Sequence, residues 1–146
     1  MIGGRTALVR LASNILCVCT HNYFRSQITA ALLRAEGFEN VLSAGTATAY
    51  LGAPPHPHVQ QAITLYGGQP VAYSAQPISR QLVDWADLIF CAEEEHRDSI
   101  LVNFPECRAE VLVMNVADGG VDNEDAVLVA AGQIMTFIGK CKSSIR

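Results

Sequence analysis

The chain alternates short, nearly continuous apolar runs with longer segments in which apolar residues recur at helical spacing. The run Asn14-Ile-Leu-Cys-Val-Cys19 is typical of a buried strand, whereas SQITAALLRAE (26–36) has a helical pattern that stops at Gly37. The apolar runs predict strands at residues 14–19, 40–44, 86–91 and 110–114. The periodic segments predict helices at residues 26–36, 57–66, 79–84, 93–102 and 122–142.

This order of elements determines the predicted fold. Strands that alternate with helices form βαβ units, whose strands pair in a parallel sheet covered on both faces, with right-handed crossovers. We therefore expect the α/β class: a single three-layer domain over residues 14–146, with a central four-stranded parallel sheet and helices on both faces. Residues 1–13 are predicted to form an N-terminal extension.

Composition excludes several classes of function. A net charge of -4 argues against nucleic acid as a partner, and no apolar run has the length that spans a bilayer, so no membrane partner and a cytoplasmic location are expected. The five scattered cysteines resemble neither a disulfide framework nor a zinc site with paired ligands. His56 and His58 are predicted to be solvated loop residues.

The segment after the first strand carries the candidate chemistry. Cys19 ends the strand, and Arg25 and Ser26 follow six and seven residues later at the start of a helix, where N–H groups and the helix dipole attract anions. Arg25 can bind two oxygens of a phosphate, and the Ser26 hydroxyl can donate to a thiolate sulfur. These residues predict a cysteine nucleophile facing a bound oxyanion, whereas Cys17, inside the strand, is predicted to be a core residue.

The same segment resembles a known family. Cys19-Thr-His-Asn-Tyr-Phe-Arg25-Ser26 is similar to the C-x5-R-S phosphate loop of the low-molecular-weight protein tyrosine phosphatases. The similarity continues in the same order at Ser43-Ala-Gly-Thr46, Gly52-Ala-Pro54, Ala86-Asp-Leu-Ile-Phe90, Glu95-His-Arg-Asp98 and Val116-Ala-Asp118. The motif C-x5-R alone is weak, but the loop with SAGT and a late aspartate is specific.

The resemblance implies a mechanism and its residues. Cys19 attacks phosphorus to form a phosphocysteine, Arg25 and the loop amides stabilise the transition state, and Asp118 acts first as acid and then as base. No metal and no cofactor are required. The residues that it implies for phosphate binding and loop support are Thr20, His21, Asn22, Tyr23, Phe24, Ser26 and Ser43, with Asn22 and Ser43 holding the loop through their side chains.

The resemblance also implies the partners. The expected substrate is a phosphorylated protein or a small phosphomonoester, with Tyr50 in the substrate pocket. We expect a monomer or a weak homodimer.

The chain departs from the family pattern at four positions. His21 replaces the usual loop glycine, and Phe24 replaces a second loop cysteine, so the protective disulfide of that pair is not expected. Gly119 replaces the proline after the aspartate, which predicts a more mobile acid loop, and Tyr73 replaces a histidine that braces the phosphate loop. We expect these changes to affect the preference for phosphotyrosine more than the hydrolysis of phosphate esters in general.

Two other functions fit the same residues. An arsenate reductase of this fold has a similar loop, and Cys91 suits the first position of its disulfide relay, but Cys107 follows sixteen residues later, beyond a predicted helix. A reductase that uses an external small thiol would need no such relay. A phosphate-binding domain without efficient turnover is the other alternative, favoured by His21, Tyr73 and Gly119.

Overall fold

The computed structural model describes residues 13–47, 49–72 and 74–142. The predicted extension, apart from Ser13, and the prediction for Tyr73 therefore lie outside the described residues. In the described ranges the strands are β1 (Asn14–Cys19), β2 (Asn40–Gly45), β3 (Leu88–Cys91) and β4 (Glu110–Val113). The helices are α1 (Arg25–Ala35), α2 (Pro57–Leu65), α3 (Arg80–Trp85), α4 (Glu94–Asn103) and α5 (Glu124–Lys142).

The four strands form one parallel sheet in the order β2-β1-β3-β4. The predicted fold class is confirmed. The chain leaves β1 towards β2 on one side and later returns to β3 on the other side, so the sheet has its topological switch point at β1. Ligands of open α/β sheets bind at the carboxyl ends of the strands beside such a point. In this chain that place is the segment after Cys19.

The strand alternation explains the two layers of helices. Ile15 and Cys17 point to one face and join the cluster packed by α1, α2 and α5, whereas Leu16 and Val18 point to the other face, covered by α3 and α4. Residues 15–18 of β1 are all completely buried, as expected for a central parallel strand. The end of β1 is therefore held rigidly from both sides.

Some element boundaries differ from the prediction for local reasons. β3 begins at Leu88 because Ala86 caps α3 and the Asp87 N–H donates to the carbonyl of Asn14. α4 begins at Glu94 because Glu93 is its N-cap. α5 begins at Glu124, since the side-chain oxygen of Asn123 accepts from the N–H of Ala126.

Within the described ranges, no helix combines the length and apolarity that crossing a membrane requires.

Candidate active site

The loop between β1 and α1 forms the floor of the site. Its carbonyl oxygens accept hydrogen bonds from the surrounding chain: that of Cys19 from the N–H of Thr46, and that of Thr20 from the N–H of Ala47. The carbonyl of Asn22 accepts from Nε2 of Gln27. With the carbonyls held outward in this way, the N–H groups of the same peptides are left for an anion, as in other loops that open into a helix N-terminus.

Cys19 is buried at the base of this loop, with 2 % of its surface exposed. Its Sγ lies 3.1 Å from Oγ of Ser26, the second residue of α1. The Ser26 hydroxyl also accepts a hydrogen bond of 2.7 Å from Nδ2 of Asn22. Because the hydroxyl is the acceptor in that bond, its own proton is not used there and can be donated to the sulfur when Cys19 is a thiolate.

Asn22 determines the shape of the loop. Its φ of 55° lies in the left-handed region, where asparagine is better tolerated than most residues. Its Oδ1 accepts from the N–H of Gln76 at 2.9 Å, and Nε2 of Gln76 in turn donates to the carbonyl of Ser43 at 2.8 Å. Among the described residues, Ser43 therefore supports the loop through its carbonyl and through Gln76, and not through the hydroxyl that the sequence suggested.

Arg25 connects the loop to two other strand ends. Its side chain is buried, and Nη1 donates to Oε1 of Glu93 at 2.5 Å and to the carbonyl of Val116 at 2.8 Å. Nη2 lies 3.4 Å from Oγ1 of Thr20. Because Nη1 is anchored, the guanidinium is fixed in orientation, and its Nε–Nη2 edge remains for a two-point contact with an oxyanion.

His96 completes this network. Its Nδ1 accepts from the N–H of Glu93 at 2.9 Å, so in the neutral ring Nε2 carries the proton and donates to Oγ1 of Thr20 at 2.9 Å. Burial and, next, the nearby Arg25 guanidinium lower the pKa of His96, which keeps the ring neutral. Glu93, Glu95 and His96 have ligand atoms within 4.8 Å of one another. However, both ring nitrogens and Glu93 are already engaged within the protein, so this set does not fit a metal ion.

Asp118 reaches the site from the segment after β4. It is exposed, and its Oδ1 accepts from the N–H of Gly120 at 3.3 Å. Gly119 and Gly120 have φ values of 65° and 89°, a conformation that the usual proline could not adopt at the first of these positions. A β-carbon on Gly119 would also lie 2.8 Å from Cβ of Ala126 in α5, so both glycines are required by the path of the segment.

These parts enclose a pocket of about 260 Å³. Its aromatic wall is built from Tyr23 and Tyr50, whose rings stack at 4.4 Å, with the ring of His21 set edge-on to Tyr50 at 5.2 Å. The predicted site residues that line it are Cys19, Thr20, His21, Tyr23, Phe24, Arg25, Tyr50 and Asp118. Asn22, Ser26 and Ser43 lie outside this lining, and the first two bond to the loop from behind.

Sequence reasoning missed Glu93, His96 and Gln76 as parts of the site. A signal was present for the first two, because Glu93 and His96 have the three-residue spacing of a capping box directly after a strand beside β1. Gln76 lies in an irregular segment with no pattern to single it out.

The cysteines that the alternative reductase function would use as a relay are separated from the pocket. Cys91 belongs to the cluster that contains Val18, on the face covered by α3 and α4, and Cys107 packs against the same cluster. By strand alternation Cys19 shares the opposite face with Cys17. A disulfide passed from Cys19 to Cys91 would have to cross the sheet, which argues against this relay.

Comparisons with known proteins agree with the fold. The sequence profile of the family described as low molecular weight phosphotyrosine protein phosphatase matches residues 14–128. A protein-arginine-phosphatase of Geobacillus stearothermophilus is 30 % identical over 114 residues, which cover 77 % of this chain and 76 % of that relative.

Solved structures show the same fold. The structure of an arginine phosphatase from Geobacillus stearothermophilus superimposes with a TM-score of 0.79 at 24 % identity, over 90 % of this chain and 92 % of that one. A tyrosine phosphatase from Erwinia amylovora gives a TM-score of 0.82 at 22 % identity, over 91 % and 93 % of the two chains. The predicted resemblance is confirmed, and this chain belongs to the low-molecular-weight phosphotyrosine protein phosphatase family.

Proposed function

We propose that this protein removes phosphate from phosphorylated protein side chains through a phosphocysteine on Cys19. The observation that carries the proposal is the convergence of Cys19, Arg25 and Asp118 on one pocket. The thiolate attacks phosphorus, the S–P bond forms, and the P–O bond to the leaving group breaks with its electron pair going to oxygen. Water then attacks the phosphocysteine and releases inorganic phosphate and the thiolate.

Arg25 and the loop amides supply the positive field for this transfer. The equatorial oxygens of the transition state face the Nε–Nη2 edge of the guanidinium, while Nη1 stays bound to Glu93 and Val116. Because Thr20 accepts from the neutral His96, its hydroxyl proton is available to the phosphate as a further donor.

Asp118 acts as the acid of the first step and the base of the second. It lines the same pocket as Cys19, and it is exposed to solvent from which it can regain its proton. Protonation of the leaving oxygen is most important for leaving groups of high basicity, such as a tyrosine phenolate.

The walls of the pocket favour a flat phosphorylated side chain. Tyr23 and Tyr50 form an apolar face, and Tyr50 extends it to the surface with 42 % exposure. A phosphotyrosine ring can stack on such a face.

Phosphoarginine is the second candidate substrate, favoured by the acidic side of the same pocket. Asp122 lines that side beside Asp118, and its carboxylate would attract a guanidinium carrying the phosphate. With this substrate the P–N bond breaks, and its electron pair and the proton of Asp118 go to the guanidinium nitrogen. The 30 % identical relative is a protein-arginine-phosphatase.

The test is metal-free hydrolysis of p-nitrophenyl phosphate, followed by a phosphotyrosine and a phosphoarginine peptide. We expect Cys19→Ser to abolish turnover and Asp118→Asn to reduce it and to accumulate a phosphocysteine, which acid quenching and mass spectrometry would detect on the Cys19 peptide. Cys107→Ser changes a partly buried cysteine outside the pocket lining, on the face of the sheet covered by α3 and α4; it is the matched control and should retain activity. Turnover that survives in Cys19→Ser would overturn the proposal.

A further inference from the structure

The segment that carries Asp118 is held at both of its ends. At the upstream end Val116 is completely buried, its N–H donates to the carbonyl of Ala92, and its carbonyl accepts from Arg25. At the downstream end Val121 and Asp122 contact two histidines at the start of α2. Between these anchors Asp118 itself is exposed, and its side chain accepts a hydrogen bond from the N–H of Gly120 within the same segment.

The tautomers of the two histidines follow from their partners. Nδ1 of His58 lies 3.1 Å from the carbonyl of Val121, and since a carbonyl can only accept, Nδ1 carries the proton. Nδ1 of His56 accepts from the N–H of His58, so its Nε2 carries the proton that faces Oδ1 of Asp122 at 3.3 Å. Both rings therefore present an N–H to the acid segment.

These contacts differ from the solvated histidines that the sequence suggested. The His56 side chain is 20 % exposed, caps α2 and packs edge-on against Tyr23 at 6.2 Å, while Tyr23 stacks on Tyr50. His56 thus contacts both the acid segment and the aromatic wall. His58 has a simpler contact with the segment, which is the hydrogen bond from its Nδ1 to the carbonyl of Val121.

We propose that His58, assisted by His56, is a positioning residue that holds the acid segment so that the Asp118 carboxyl reaches the leaving oxygen. This inference rests on the proposed function. Gly119 and Gly120 offer the segment little conformational restraint of their own, so its downstream anchor determines where Asp118 points. When the P–O bond breaks, the carboxyl proton of Asp118 goes to the departing oxygen and leaves a carboxylate, and the histidines exchange no proton in this step.

The test separates acid positioning from general damage by varying the leaving group. Phenyl phosphate releases a phenolate with a pKa of about 10 and needs the acid, whereas 2,4-dinitrophenyl phosphate releases a stable anion that does not. Values of kcat/KM report the transfer of the phosphoryl group to Cys19, and inhibition by inorganic phosphate reports whether the loop is intact. The variants are His58→Ala, His58→Asn and Asp118→Asn, with Gln61→Ala on the exposed side of α2 as the control.

We expect His58→Ala to lower kcat/KM for phenyl phosphate about tenfold, with a change of about twofold at most for the dinitrophenyl ester and for phosphate inhibition. His58→Asn should recover most of the loss, because its amide N–H can occupy the place of Nδ1. An equal loss on both esters in His58→Ala, or no loss on either, would overturn the inference. If Asp118→Asn itself shows no dependence on the leaving group, the proposed acid fails; if it does and His58→Ala does not, only the positioning role fails.

Discussion

Gly45 is the position where a single methyl group should disrupt the phosphate loop. It ends β2, directly beside Cys19 in the register of the sheet. A β-carbon there would lie 2.7 Å from the carbonyl oxygen of Thr20, 2.8 Å from the amide nitrogen of Asn22 and 2.8 Å from the carbonyl carbon of His21. All three atoms belong to the loop backbone, so no side chain can rotate away to relieve the contact.

The magnitude follows from these distances. Ordinary contacts of a β-carbon begin near 3.4 Å, so the loop in Gly45→Ala must retreat by roughly half an ångström or more. Overpacking of this kind destabilises a protein by about 1–3 kcal/mol. A displacement of the loop amides on this scale should lower turnover by roughly a hundredfold and weaken inhibition by inorganic phosphate.

The assay combines urea unfolding, turnover of p-nitrophenyl phosphate and inhibition by inorganic phosphate. Gly139→Ala in α5 is the matched control, because a β-carbon there meets no atom within 4 Å. That change should stabilise the helix by about 0.5–1 kcal/mol and leave turnover unchanged. Wild-type phosphate affinity in Gly45→Ala would refute the reasoning, since it would mean that the loop does not depend on close contact with β2.

Three further outcomes follow from the site. Asn22→Ala loses one buried and one partly buried hydrogen bond and keeps an unfavourable φ, so urea unfolding should show a loss of roughly 2–4 kcal/mol. A loss below half of that would contradict the role of Asn22. The pKa of His96 is lowered in the folded state, so its stabilisation is fully present above the unfolded value of about 6.5 and is lost as the pH falls towards the folded value. The difference in the free energy of unfolding between wild type and His96→Gln should therefore shrink as the pH is lowered from about 7.5 to about 5, and a constant difference would refute this. Iodoacetamide at neutral pH should modify Cys19 and spare Cys17 and Cys91, because burial raises the pKa of both, that of Cys91 to about 12; peptide mapping by mass spectrometry would reveal any exception.

The fold and the floor of the pocket could be predicted because the residues that determine them lie close together in the sequence. The apolar runs at β1 and β3 are nearly continuous, as strands buried on both faces must be, and the periodic segments between them identify the helices. Cys19, Arg25 and Ser26 lie within eight consecutive residues, so their spacing alone brings them together at the end of a strand.

The supporting residues could not be predicted because their roles depend on which strands are neighbours. Glu93 signals a helix start in the sequence, but its contact with Arg25 exists only because β3 pairs with β1. His56 and His58 likewise gain their partners only when α2 packs near the segment after β4. Contacts of this kind join residues that have no pattern in common, and the alternation of apolar positions carries no information about them.

Arg25 is oriented by groups that lie much later in the chain. Its partners Glu93 and Val116 lie 68 and 91 residues further along the chain. A chain made from its N-terminus therefore exposes the nucleophilic cysteine long before the groups that orient the arginine beside it have been synthesised. The arginine is therefore fully oriented only in a chain where both Glu93 and the segment after β4 are in place. An incompletely folded chain would carry the Cys19 thiol but would lack the oriented arginine that binds a phosphate beside it.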